Sequence, residues 1–343
     1  MILINNFTSE SGFHSVSCSI RRALSYYDID ISELMIFGLA SALYFFYFDS
    51  ERYSYPLIGG RVRRAEFEDN FMLASGVAID SIETASRKRA YSALYDGIYR
   101  GDPCLVYVDV GLLPYARLPE MAHFGGHAIV VYGLDEERGV AYVTDGIWND
   151  ETREPINALP LGILADARAA KSLPFPPSNR LVKFSPGRYS GIAAGSVQKA
   201  IKKNSRAMLA PPNQRVGLSA IKAFASKLAA WGSFSDETLR EVAFMTRLMI
   251  NTPDCSGGGC FRAKYGEFLT IAADMLGSRE LKCCGKRYAE AASLWDEVCE
   301  LLLQIYQGLN RNNLLTISSI LHQLHKLETE IQTSIFDIVG ADD

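Results

Sequence analysis

Phe124-Gly-Gly-His127-Ala-Ile-Val-Val-Tyr132-Gly-Leu-Asp-Glu-Glu-Arg-Gly139-Val-Ala-Tyr-Val-Thr144-Asp145 reads as a β-hairpin with a reactive group at each end. Ala128 to Tyr132 and Val140 to Thr144 are β-branched and aromatic runs that suit strands. The charged, glycine-bounded stretch from Gly133 to Gly139 suits the turn between them. An antiparallel pairing would bring His127, at the start of one strand, beside Asp145, at the end of the other. An imidazole next to a carboxylate is the base-and-orienter half of a nucleophilic triad. The plain alternative is a solvated histidine next to a turn aspartate.

A nucleophile is sought upstream. Gly12-Phe-His14-Ser15-Val-Ser-Cys18-Ser-Ile20-Arg-Arg-Ala23-Leu24-Ser-Tyr-Tyr27 reads as a polar turn entering a helix, with Ile20, Ala23, Leu24 and Tyr27 on its apolar stripe. A helix N-terminus presents unpaired N–H groups and a positive dipole end, which favour a thiolate, an alkoxide or an oxyanion. Ser15 and Cys18 both stand there. The ordinary roles are capping for Ser15 and small-hydrophobe packing for Cys18.

The 343 residues allow two domains. With 48% apolar and 22% charged residues the composition is that of a soluble globular protein. A formal net charge of −4 argues against general nucleic-acid binding, and Arg61, Arg63 and Arg64 form the one notable basic cluster. The N-terminus lacks the pattern of a secretory signal. The apolar run Ser41 to Phe48 is too short to span a membrane. Seven irregularly spaced cysteines suit reduced thiols in a cytoplasmic setting, and neither the adjacent Cys283 and Cys284 nor His322 with His325 completes a metal site.

The ordered set of motifs carries a family resemblance. His14-Ser15 before the helix ending at Tyr27 resembles the opening of papain-like enzymes of the bacteriocin-leader peptidase type. It is closer still to the butirosin-biosynthesis aminoacyltransferase (BtrH-like) family. Segments similar to that family follow in order: Ser32 to Leu39, Gly60-Arg61, Gly101 to Asp109, Leu113-Pro-Tyr115, then His127 and Asp145. The resemblance implies a papain-like α+β domain in which His127 is general base and acid and Asp145 orients it.

The family's nucleophilic cysteine falls on Ser15. Three readings are open: a working serine nucleophile, a cysteine replaced by serine that leaves a weak or dead enzyme, or Cys18 acting about one turn on. Position 15 is favoured and Cys18 comes second. No glutamine precedes Ser15, so the Ser15 backbone N–H is the expected oxyanion donor and a second donor is unassigned. His14 is read as structural, with substrate contact as a second role. His123 is the second-ranked base.

Further along, Asp30 to Gly38 should be helical, Tyr44 to Phe48 a strand, Gly59-Gly60 a turn ahead of the arginines, Ser81 to Tyr99 a helix and Pro103 to Asp109 a buried strand. Arg61 is a candidate contact for the phosphate of a phosphopantetheine arm or for an acidic carrier-protein helix. The proline-rich stretch from Lys171 to Gly191 holds one strand-like piece, Leu181 to Phe184, and sets a domain boundary that gives 1–187 and 188–343.

Beyond it the pattern is almost all helical, with Val216 to Trp231, Ser235 to Ile250, Phe261 to Leu276, Ala289 to Leu309 and Leu314 to Phe336 as examples of a bundle. Asp254-Cys-Ser-Gly-Gly-Gly-Cys-Phe-Arg-Ala-Lys-Tyr-Gly-Glu-Phe-Leu269 breaks it with a triple glycine entering a helix. It resembles a signature of the helical domain in the same family. Gly258, Arg262 and Tyr265 are expected there as substrate contacts, in a domain that covers the active site.

Taken with the resemblance, the expected activity is amide-forming acyl or aminoacyl transfer in antibiotic or other specialised-metabolite biosynthesis. The donor would be a thioester on the phosphopantetheine arm of an acyl carrier protein and the acceptor a small-molecule amine. No tightly bound cofactor, metal, nucleic acid or membrane is expected, and homo-oligomerisation is open. A peptidase or amidase with the same triad, or an inactive binding homologue, is the alternative.

Overall fold

The computed structural model describes residues 1–49, 55–119, 122–146, 158–172, 175–185, 187, 189–250 and 258–340. The fold is α+β, with a β-sheet and helices in its N-terminal part and a helical C-terminal part. Contacts divide it into two compact units, Met1–Ile36 with Gly76–Ser190, and Phe37–Ser75 with Gly191–Asp343.

The first unit is built on a seven-stranded sheet. Its strands are β1 (Ile2–Leu3), β4 (Ala78–Ile82), β5 (Cys104–Val108), β6 (His127–Asp135), β7 (Val140–Thr144), β8 (Leu159–Pro160) and β9 (Leu181–Ser185). Their order is β4-β9-β5-β6-β7-β8, with β1 against the far end of β6, and the pairings are antiparallel. β5 is buried along its whole length, as its unbroken apolar run requires. The hairpin of β6 and β7 forms as expected, with Val130 opposite Thr144 and the first strand running on to Asp135. Helices α1 (Ser15–Ser25), α4 (Arg87–Tyr99) and α5 (Leu161–Ala169) complete the unit, and α2 (Glu33–Leu39) carries the chain out of it. The helix expected from Ser81 starts later. Ser81 and Ile82 pair with Val182 and Leu181 in the sheet, and Ser86 caps α4 by accepting from the Arg89 N–H.

The second unit holds a two-stranded ribbon, β2 (Leu43–Phe48) and β3 (Leu57–Arg61), and α3 (Arg64–Ser75). It also holds α6 (Ala194–Leu209), α7 (Leu218–Trp231), α8 (Asp236–Ile250), α9 (Arg262–Leu276), α10 (Arg279–Gly308) and α11 (Asn313–Gly340). A single cut at 187/188 would give residues 37–75 to the first unit, but they pack with the helices of the second. The reason lies in the ribbon's aromatics: Phe45 stacks near Phe224 and Trp295, and Tyr47 against Phe224. Gly59 and Gly60 lie inside β3, paired with β2, and make no turn; they are glycines because the Phe46 ring and the Cys260 thiol fill the space a side chain would need.

Candidate active site

The first observation is the hairpin's open end. His127 Nε2 lies 2.6 Å from Asp145 Oδ2, with the Asp145 side chain fully buried and that of His127 4% exposed. Tyr115 donates its hydroxyl to the same oxygen at 3.0 Å. Burial and the adjacent carboxylate push the Tyr115 phenol well above its usual range, so it stays a proton donor. Since Asp145 engages Nε2, Nδ1 is the ring nitrogen that would serve a nucleophile.

Helix α1 runs alongside β6 in the same direction. Ser19 donates to the Ala128 carbonyl at 3.2 Å, and Arg22 reaches the Thr144 hydroxyl, opposite Val130, at 2.5 Å. Farther on, Tyr26 meets Phe7, which stacks on Tyr132. Backing up four residues from Ser19 covers about 6 Å of helix, or roughly two strand residues. By that spacing the first turn of α1, with Ser15, lies toward the end of β6 at which His127 stands.

Ser15 is not the helix cap. The cap is His14, whose Nδ1 accepts from the Ser17 N–H at 3.4 Å. Ser15 sits in the first turn, 6% exposed, and among the described residues its hydroxyl has no hydrogen-bond partner. His14 is 2% exposed, and its Nδ1 serves the cap.

Cys18 packs against the residue that follows Asp145. Its thiol donates toward the Glu10 carbonyl at 3.6 Å and packs under Gly12 and Gly146, whose backbones meet through a 2.9 Å bond from the Gly12 N–H to the Gly146 carbonyl. A Cβ on either glycine would come within 2.5 Å of the Cys18 sulfur, so only glycine permits this approach. Burial pushes the Cys18 thiol up to about 11, which leaves it protonated at neutral pH.

Two features were not anticipated. Glu33, at the start of α2, turns its buried carboxylate to the turn before Ser15: it accepts from the His14 N–H at 2.9 Å, the Phe13 N–H at 3.2 Å and the Ser17 hydroxyl at 2.8 Å. Burial raises its pKa. An acidic residue in a helix's first turn was the available signal, but nothing local tells which N–H groups it serves. His123 pairs with Asp109 at 2.9 Å, so it is not the partner of Asp145. Asp109 also accepts from the N–H groups of Gly111 and Phe124 and the Ser172 hydroxyl, which makes it the tie-point of three loops.

Residues 14–146 match a family described as butirosin biosynthesis protein H, N-terminal, and residues 163–335 match a domain of unknown function (DUF4872). The chain belongs to the butirosin biosynthesis protein H-like family. The first match takes in Ser15, Cys18, Arg61, His127 and Asp145, and the second takes in Gly258, Arg262 and Tyr265. No curated protein matches the sequence.

The residues expected to contact substrate in the second unit have other surroundings. Arg262 is fully buried: it clasps Glu328 through Nε and Nη2, both at 2.9 Å, and donates to the carbonyls of Tyr44 and Cys260. Tyr265 is also fully buried, its ring edge-on to Tyr288. Both are core residues. Gly258, Gly259, Cys260 and Phe261 have φ of 82°, 56°, 51° and 67°, a left-handed run leading into α9. The Gly259 N–H donates to Asp296 at 2.8 Å, and a Cβ there would come 2.4 Å from that of Ala292. This glycine therefore serves close packing on α10. Arg61, at the end of β3, donates to the Val62 carbonyl at 2.9 Å. Residues 251–257 lie outside the described residues. No helix among the described residues is long and apolar enough to cross a membrane, and no cluster there could hold a metal ion.

Proposed function

We propose that the chain is an acyl or aminoacyl transferase of antibiotic or related specialised-metabolite biosynthesis, with a papain-like first domain and a triad of Ser15, His127 and Asp145. The observation that carries it is the buried His127–Asp145 pair at 2.6 Å, on a strand alongside which the helix bearing Ser15 in its first turn packs. The donor is a thioester on the phosphopantetheine arm of an acyl carrier protein. Ser15 Oγ attacks its carbonyl carbon and passes its proton to His127 Nδ1. The C–S bond breaks, and the thiol leaves with that proton. An amine then attacks the acyl-serine, His127 takes the amine's proton, and the serine oxygen leaves protonated as the amide forms. Asp145 holds the ring and offsets its charge in both half-reactions. The Ser15 N–H, at a helix N-terminus, is the oxyanion donor.

A second reading, a binding homologue without turnover, is favoured by serine standing where the family resemblance expects cysteine. Intact mass after incubation with an acyl-pantetheine thioester separates the two. An acyl adduct on the native chain or on Ser15→Cys, absent from His127→Ala, supports transfer. No adduct on either chain leaves binding alone. An adduct lost in Cys18→Ala and kept in Ser15→Ala would move the nucleophile to Cys18.

A further inference from the structure

In the first unit a small recess of about 20 Å³, room for about one water-sized ligand, lies between α4 and α5. Leu94, Leu161 and Leu164 make its walls apolar, and Arg87, Arg168 and Asn179 supply the polar lining. Arg168 is 3% exposed. Its Nη1 donates to the Ala90 carbonyl at 3.3 Å and its Nη2 to the Asn179 carbonyl at 3.4 Å, both long bonds to neutral acceptors. Its Nε has no acceptor among the described residues, and no carboxylate among them pairs with the guanidinium. The nearest acid along the helix, Asp166, is engaged by Arg87 at the mouth, at 2.5 Å.

Buried charges in proteins are paired, because an isolated ion in an apolar setting loses its hydration without recompense. Arg262, in the second unit, follows that rule through Glu328; Arg168 does not. Burial pushes Arg168 down to about 10, with only Cys104 opposing, so it is still a cation at neutral pH. A fixed, unpaired positive charge and an N–H without an acceptor, lining a small recess, together define a receptor for negative charge.

We propose that this recess binds a compact anion beside the Arg168 guanidinium, with Arg87 offsetting the Asp166 carboxylate at the rim. The shared chemistry is a small acceptor-only anion: a halide, a short carboxylate or inorganic phosphate. The room is about that of one water, which favours a halide over acetate or phosphate. The bound anion would tie α4 to α5 and to the approach to β9 through the guanidinium that already spans them. This inference is independent of the transferase reading.

Thermal unfolding of the full chain, at constant ionic strength with sodium gluconate replaced stepwise by chloride, acetate or phosphate, tests it. The native chain should show a midpoint that climbs with at least one of these anions and saturates, since ligand bound only to the folded state raises stability with concentration. The anion that acts identifies the source. Arg168→Gln should flatten the response, and Arg87→Gln should move its half-point to several-fold higher concentration. Should Arg168→Gln fail to fold, Arg87→Gln and a bromide-soaked crystal decide: an anomalous peak beside Arg168 Nε supports the site. A midpoint indifferent to all three anions, or a full response persisting in Arg168→Gln, overturns it.

Discussion

Asp145 Oδ2 accepts two protons' worth of hydrogen bonding at once, from the His127 ring at 2.6 Å and the Tyr115 hydroxyl at 3.0 Å, in a place solvent does not reach. The two donors fix the carboxylate, and the carboxylate fixes the ring. Asp145→Asn should preserve the fold but present an amide in place of the acceptor pair. A drop of roughly 10²–10⁴-fold in acyl-adduct formation is expected, as for orienting carboxylates elsewhere. Tyr115→Phe should cost about 1 kcal/mol and a smaller loss of rate. An Asp145→Asn variant as fast as the native chain would remove His127 from the chemistry.

Placing a thiol at position 15 turns the same geometry into a titration. Ser15→Cys should react with iodoacetamide with an apparent pKa below the ordinary thiol value of about 8.5, because the helix start and the imidazole both favour a thiolate. His127→Ala in that background should return the profile to the ordinary range. Cys18, pushed up to about 11 under Gly12 and Gly146, should stay unlabelled at neutral pH. Peptide mapping of the label distinguishes the two sites, and labelling of Cys18 ahead of the thiol introduced by Ser15→Cys would reverse their ranking.

Glu33 gives the turn before Ser15 a dependence on pH. Burial raises its folded-state pKa above the ordinary 4.5, so between those two values the folded protein holds more protons than the unfolded chain. Its contribution to stability is therefore fully present at low pH and declines as pH rises through the folded pKa. Glu33→Gln keeps an acceptor for the His14 N–H and does not titrate. Urea unfolding from pH 4 upward should show this variant gaining on the native chain as pH rises, then running parallel to it. Glu33→Ala, which strands two N–H groups and the Ser17 hydroxyl, should cost about 1–3 kcal/mol. Curves parallel over the whole range would mean the carboxyl is not held as described.

What could be foreseen follows from range in sequence. The hairpin, α1 and β5 rest on periodicity and turn residues within about 20 positions; the register, with Val130 opposite Thr144, brings Asp145 to the end of the hairpin where His127 begins β6, and their side chains meet there. Glu33 could not be assigned, since its task depends on a helix start nearly 20 residues away folding back on it. The ribbon of β2 and β3 looked like part of the first domain because chain order is a poor guide to which core an aromatic strand joins. Arg262 misled for another reason: an arginine after a glycine run has the same appearance whether its partner is a ligand or a glutamate 66 residues on.

That glutamate makes the second unit's stability testable apart from any activity. Glu328 is fully buried and accepts from Arg262 Nε and Nη2 and from the Trp295 indole N–H, each at 2.9 Å, while the guanidinium lies 5.2 Å from the centre of the Trp295 ring. Removing one partner leaves the other's charge buried and unmatched, so Arg262→Met or Glu328→Leu alone should destabilise by about 3–5 kcal/mol. The double variant replaces both charges with apolar groups of similar bulk and should recover much of that loss. The cycle, followed by urea unfolding, isolates the pair from the packing each side chain also provides. Single losses that simply add in the double variant would show two residues stabilising the core independently, with no coupling across the 2.9 Å contacts.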